Sequence, residues 1–371
     1  MNISRLVGVV TPNDKFYVRS HFPAPRLHAE TWRLRVFGHV RHELSLGLTE
    51  LLDMPAQTMT VTLECAGNGR SLFNPPIEGE PWALGATGTA EWTGVPLAAV
   101  LEHAGLEPTA HELIFRGADF AEPGRNPSRF ERSLRLTDAH DAGVLLAYSM
   151  NGEPLPRHHG FPVRAIVPGW YAVASVKWLA EIEVSDVPFD GYFHAQRYFF
   201  DYAQGGAEPV RLMRVRSIIT EPRDGQAMKP GHVAIRGLAW SGATHVSRVD
   251  VSIAGGDWRE AHLQGHARPY IWRRWEHMTH IDHEGDVTIR SKAVDAAGQA
   301  QPDQADWNRL GYGNNSIQSI TVRMTSAAGN EGLDFFHHPP LQQERNPVDS
   351  PGDDRSGRHR KHRVHGRRGD R

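Results

Sequence analysis

The sequence holds a single cysteine, Cys65, in 371 residues. That excludes an intrachain disulfide, Cys-x-x-Cys redox chemistry, a thiolate zinc cage and covalent c-type haem, each of which needs at least two thiols. No run of about 18 apolar residues is present, so the sequence encodes no helical membrane span. An excess of one charge is missing as well. The 41 Lys and Arg against 43 Asp and Glu leave a formal net charge of −2, which gives no overall basic field for nucleic acid or an anionic membrane. No Gly-x-Gly-x-x-Gly follows a strand pattern, which argues against a nicotinamide site. Lysine is scarce, at five positions, and arginine makes up the rest of the basic residues. Residues 1–14 show neither a twin-arginine pair nor a charged-then-apolar signal pattern; the expectation is a cytoplasmic protein as written, or a periplasmic one if the start is truncated.

What is there is the make-up of a globular protein, 39% hydrophobic and 23% charged, and long enough for two domains. From residue 31 to about 187, short alternating strands (32–40, 111–115, 163–167) mix with a few helical stretches such as 96–104. This predicts an α+β fold. After 202–206 the pattern changes to the short alternating runs 233–238, 246–254, 270–275, 287–295 and 316–324, broken by Gly, Asp and Pro turns, as in an all-β sandwich. The boundary is expected between 203 and 212. The domains expected are a mixed α/β domain over 1–205, an all-β sandwich over 206–326 and a disordered tail over 327–371, whose Arg-His-Arg-Lys-His run reads as solvated.

Cys65 ends the alternating run Met59-Thr60-Val61-Thr62-Leu63-Glu64-Cys65. Met59, Val61, Leu63 and Cys65 share one face; Thr60, Thr62 and Glu64 share the other. The run then breaks into Ala66-Gly67-Asn68-Gly69-Arg70, where glycine lets backbone N–H groups approach a ligand. A thiol there can be a small buried hydrophobe, a nucleophile served by one of 22 histidines, or a metal ligand. Four other segments concentrate basic, aromatic and proline residues: Phe16 to Pro25, His158 to Arg164, Ser175 to Leu179 and Gly191 to Tyr198. Taken singly, each also fits a stiffened loop or surface stacking.

Taken together, their order and spacing resemble the sulfite oxidase family. The motifs are F-x-V-R-x-H-x-P-x-P from Phe16, L-x-C-A-G-N-x-R-S from Leu63, P-W-x-x-G-x-x-x-T-A-x-W-x-G from Pro81, L-L-A-Y-x-M-N-G-x-P-L-P-R-x-H-G-F-P-V-R from Leu145, and S-V-K-W-L from Ser175. The resemblance covers most of residues 8–325. It implies a molybdopterin-binding α+β domain followed by an immunoglobulin-like domain that forms a homodimer. It also implies Mo-molybdopterin as cofactor, with Cys65 as molybdenum ligand, a soft thiolate being suited to that metal. Ser20, His21, Asp119, His159, Arg164, Ser175 and Lys177 would hold the pterin and its phosphate. Arg19, Arg70, Tyr198 and Arg273 or Arg274 would surround a small oxyanion substrate, with Trp82 walling the pocket. The implied reaction is oxygen-atom transfer, sulfite going to sulfate with electrons passed to an external carrier such as a cytochrome. Nitrate or a sulfoxide is the alternative substrate, and neither nucleic acid nor a membrane is expected as partner. Two positions depart from the vertebrate pattern: Gly69 stands where a second arginine is expected, and Glu78 where a lysine is expected near the pocket mouth. In addition, Trp170-Tyr171-Ala172-Val173-Ala174 replaces the small residues and arginine that usually precede S-V-K.

Overall fold

The computed structural model describes residues 8–202 and 204–326; the expectation for the 327–371 tail lies outside the described residues. Strands dominate, and the α-helices among the described residues are short: Leu48–Leu52, Leu97–Ala104 and Leu136–Ala142. The helix Leu97–Ala104 shows why one forms here. Leu97, Val100, Leu101 and Ala104 recur at helical spacing and are all buried. The helix stops at Gly105, whose φ of 66° suits glycine best.

Two sheets build the first part of the chain. One runs in the order Leu44–Gly47, Arg33–Gly38, Leu179–Ser185, Glu112–Phe120, Arg129–Arg135, with Arg33–Gly38 parallel to Leu179–Ser185. Its apolar face and the helix Leu97–Ala104 share one core. The other pairs Gln57–Glu64 with Thr87–Pro96, then Leu145–Met150, which also pairs Arg164–Ile166. Val61, Leu63, Trp92 and Ile166 form its core.

In the rest of the chain two further sheets face one core. A four-stranded sheet contains Arg216–Glu221, Gly231–Trp240 and Arg273–Ile281, and a five-stranded sheet contains Val246–Ile253, Gly285–Asp295 and Gln318–Met324. Val233, Ile235 and Trp275 from the first sheet meet Val249, Ile289 and Val322 from the second.

Most strands expected from the pattern are present, with two informative differences. The run expected at 270–275 begins only at Arg273 and continues to Ile281, because Tyr270 takes a φ of 65° that no strand accommodates. The strand Arg216–Glu221 has no alternating signal, since its first four residues are all buried. Both its faces are covered.

The strand leading to Cys65 departs from the usual half-solvated pattern too. Its polar face is as dry as its apolar one: Thr62 is 0% exposed and Glu64 1%. Thr62 N–H donates to Tyr270 O at 2.7 Å, and Thr62 Oγ1 accepts from Trp272 N–H at 2.9 Å. Glu64 accepts from Arg216 Nη1 at 3.0 Å, Asn68 Nδ2 at 2.9 Å and Trp240 Nε1 at 2.9 Å. A buried pair costs several kcal/mol of desolvation per ion, which is offset only when the remaining lone pairs find donors. Glu64 meets that condition. Burial still pushes its carboxyl above the usual range, with Arg216 holding it back.

Breaking this pair is expected to be costly. Arg216→Met should lower stability to urea by about 3–5 kcal/mol, because it leaves Glu64 buried without its counter-charge. The double variant Glu64→Gln Arg216→Gln should lose less than Arg216→Met alone; an equal or larger loss would show that the two charges are not coupled.

Candidate active site

The turn after Gln57–Glu64 is closed by backbone bonds. Asn68 N–H donates to Cys65 O at 2.9 Å and Arg70 N–H to Gly67 O at 3.0 Å, while Cys65 N–H reaches Ala86 O at 2.9 Å. The Asn68 side chain spans the turn, donating to Glu64 and accepting from Ala86 N–H at 3.1 Å. Gly69 takes a φ of 83°, and a Cβ there would lie 2.6 Å from Arg216 Nη2. A side chain at 69 would therefore be strained by the backbone conformation and would have to displace the Arg216 guanidinium.

Cys65 lines two adjoining cavities. The inner one gathers Ser20, His21, Asp119, His159, Arg164, Ser175 and Lys177, with Arg19 and Tyr198 at its edge. Residues from seven separate stretches of the chain meet there. Arg164 opens the strand Arg164–Ile166, His159 ends the 3-10 turn Arg157–His159, and Asp119 sits near the end of Glu112–Phe120. The outer cavity adds Arg70, Glu78, Trp82, Arg197, Arg309 and Tyr312.

Among the described residues the inner cavity is lined by more cations than carboxylates, Asp119 being its one acidic side chain. Arg164 is buried and donates to the carbonyls of His159 and Ser175, both at 3.0 Å; burial holds its guanidinium down to about 10. Lys177 Nζ donates to Ser20 Oγ at 2.6 Å and His158 O at 3.1 Å. Burial, then the Arg164 charge, brings Lys177 down to about 7. The same causes bring His159 to about 4, and its Nε2 lies 3.1 Å from Asn13 O. Asp119 is raised to about 6 by burial, and its Oδ1 is buried with no hydrogen-bond partner.

Tyr198 joins the two cavities. Its hydroxyl lies 2.6 Å from His21 Nε2. Burial and Arg19 bring His21 to about 3, so the neutral ring can accept the phenol's hydrogen bond. Burial pushes the phenol itself far up. The Tyr198 ring stacks on Tyr312 at 4.9 Å, and Arg70 lies 5.1 Å over the Tyr312 ring. Burial also raises the Cys65 thiol, with the Gly67 N–H, Arg19 and Arg70 acting against it.

Known proteins match this arrangement. The profile of the oxidoreductase molybdopterin binding domain matches residues 21–193, and that of the Mo-co oxidoreductase dimerisation domain matches 208–325. Arabidopsis thaliana sulfite oxidase is 33% identical over 85% of this chain and 88% of its own. The chain belongs to the sulfite oxidase family. Mitochondrial sulfite oxidase of Rattus norvegicus is 39% identical over 85% of this chain and 62% of its own length, so the chain spans about three fifths of that relative. The crystal structure of the sulfane dehydrogenase SoxCD from Paracoccus pantotrophus superposes with a TM-score of 0.79 at 32% identity, covering 87% of this chain and 83% of that one.

The family's cofactor, Mo-molybdopterin, fits the residues present. A phosphate-bearing group needs buried cations that are not already neutralised, and Arg164 and Lys177 have only carbonyl and hydroxyl partners. A pterin edge offers N–H donors, and Asp119 Oδ1 is a buried acceptor that lacks one. Cys65 is the soft donor.

Among the residues expected around the substrate, Arg19, Arg70, Trp82 and Tyr198 line the outer cavity. Arg273 does not, and this expectation is corrected. Arg273 and Arg274 start the strand Arg273–Ile281 and line neither cavity. The Arg273 guanidinium turns back to Val246 O at 3.1 Å and Gly265 O at 3.0 Å. The later part of the chain instead contributes Arg309 and Tyr312, from a segment with no periodic signal. Arg197 was missed as well, although it immediately precedes Tyr198. So was the fully buried Arg132, whose guanidinium lies 5.8 Å from the Tyr198 ring and donates to Phe193 O and Val210 O.

The depressed Lys177 sets a pH dependence. Lys177 carries its charge below about 7, and Asp119 becomes anionic above about 6; both changes weaken anion binding as pH rises. Sulfate binding to cofactor-free protein, followed by calorimetry, should therefore fall between about pH 6 and pH 8. Lys177→Arg should flatten most of that fall, and a pH-independent wild type would contradict the assignment.

Proposed function

We propose that the chain is a sulfite-oxidising molybdoenzyme that passes electrons to an external carrier. The observation that carries this reading is the sharing of Cys65 by a basic inner cavity and an outer one holding Arg19, Arg70 and Tyr198. That arrangement lets Cys65, Arg19 and Tyr198 border both the cavity lined by Arg164 and Lys177 and the one lined by Arg70. Bound at Cys65, the cofactor supplies a centre that accepts two electrons and exchanges oxygen, for the balance sulfite + H2O → sulfate + 2H⁺ + 2e⁻.

The chain's own residues do the rest. Arg19 and Arg70 set a positive potential before the anion arrives, so little reorganisation is needed. Arg70 is fixed by its bonds to Glu80 O at 3.0 Å and Leu310 O at 3.2 Å. Tyr198, held at His21, lines both cavities, where its hydroxyl would hydrogen-bond a bound anion and relay a proton. Trp82 lines the outer cavity.

We further infer a division into a molybdopterin-binding domain over 1–205 and an immunoglobulin-like sandwich over 206–326, through which two copies pair. The two sheets sharing one core and the match to a dimerisation domain over 208–325 support this.

Purified holoenzyme should reduce ferricyanide when given sulfite. Tyr198→Phe should lower kcat/KM by about 100-fold or more, the range expected for a positioned proton-transfer group, while Cys65→Ser should abolish turnover and the Mo–S spectroscopic signature. Absence of sulfite turnover by protein carrying full molybdenum would sink the proposal.

A further inference from the structure

Four guanidinium groups line the outer cavity, those of Arg19, Arg70, Arg197 and Arg309. Three of them already have protein acceptors. Arg19 donates to Ser20 O, Arg70 to the Glu80 and Leu310 carbonyls, and Arg309 Nε to Asp201 Oδ2 at 2.5 Å. Among the described residues, Arg197 has no hydrogen-bond or ion-pair partner, and it is exposed.

The backbone explains how Arg197 reaches the cavity. It closes the π-turn Tyr192–Arg197 and is followed directly by Tyr198. In a strand, neighbouring side chains point to opposite sides; leaving the π-turn, both line the same cavity. Such single π-turns recur at functional sites. This one is anchored, since Phe193 is buried and its carbonyl accepts from the buried Arg132. The cation is presented by a held turn.

We propose that Arg197 is a specificity-determining residue that captures the substrate oxyanion at the mouth of the site, making good the cation absent at position 69. The Gly69 space is filled by Arg216, but that guanidinium is 2% exposed and bound to Glu64, so it offers nothing to a ligand. Glu78 and Glu80, also at the mouth, disfavour anions, and a free guanidinium beside Tyr198 offsets them. A planar fork with its donors unused among the described residues suits a tetrahedral or pyramidal oxyanion. The field of Arg197 also contributes, after burial and Arg19, to holding His21 neutral.

The inference rests on the oxyanion reading of the site, and its test separates the two. Holoenzyme carrying Arg197→Gln is compared with wild type and Arg197→Lys in sulfite turnover, with sulfate as competitive inhibitor. The expected result is a rise of about tenfold in both the KM for sulfite and the inhibition constant for sulfate, the loss of one charge-assisted contact. kcat should stay within about twofold, the salt dependence of kcat/KM should weaken, and Arg197→Lys should recover most of the affinity. Unchanged KM and inhibition constant, or a fall in kcat with KM intact, would overturn it. If wild type does not oxidise sulfite, sulfate affinity read from quenching of tryptophan fluorescence decides: a loss in Arg197→Gln sustains the anion-capture role, and an unchanged affinity removes it.

Discussion

The carboxylate of Glu64 is out of contact with water, one residue before the cysteine on which the site is centred. Its counter-charge, Arg216, comes from 152 residues further along the chain. In a dry environment neither ion is tolerable alone, so the strand bearing Glu64 and the strand bearing Arg216 must come together. The same guanidinium also donates to Asn68 O at 3.1 Å, and Asn68 spans the turn from Glu64 to Ala86. One ion pair therefore joins two parts of the chain and shapes the loop that presents the thiol. The aromatic cluster around it mixes the same two parts, with Ala66, Phe193 and Tyr198 packed among Leu238, Trp240 and Trp272.

The site built on this frame separates its charges by burial. Inside, Arg164 and Lys177 hydrogen-bond only carbonyl and hydroxyl oxygens among the described residues, Asp119 is the carboxylate near Lys177, and burial pushes both cations toward neutrality. Such cations destabilise the fold until an anion joins them, so the architecture holds electrostatic energy for a phosphate-bearing ligand. Around Tyr198 the same positive surroundings keep His21 without a proton. The cations that attract an anion and the imidazole that accepts a hydrogen bond are thus two consequences of one desolvated, positive environment.

Much of this was legible in the residues. The apolar period of the helix Leu97–Ala104 and of most strands is local, and local patterns survive folding. The motifs around Cys65, Arg164 and Lys177 identified the residues that line the inner cavity, because each segment carries its own rigid turn or strand. Arg216–Glu221 was not legible, since a strand covered on both faces loses its alternation. Nor was the direction of Arg273. A guanidinium on a long flexible stem goes where acceptors are, and for Arg273 these were the carbonyls of Val246 and Gly265 on its own half.

The sequence by itself determined the chemical inventory: one soft thiol, buried-type arginines and a lysine in proline-stiffened turns, and the order of segments that marks the family. Those features depend on residue type and near-neighbour spacing alone. Only the tertiary structure decided which cations line the cavities and which are consumed in holding the fold. Arg216 was taken by Glu64, Arg309 by Asp201 and Arg273 by backbone, while Arg197 was left without a hydrogen-bond or ion-pair partner among the described residues. Such pairings are set by long-range packing, because a charge is available only when no acceptor has been folded against it, and no spacing in the sequence records that.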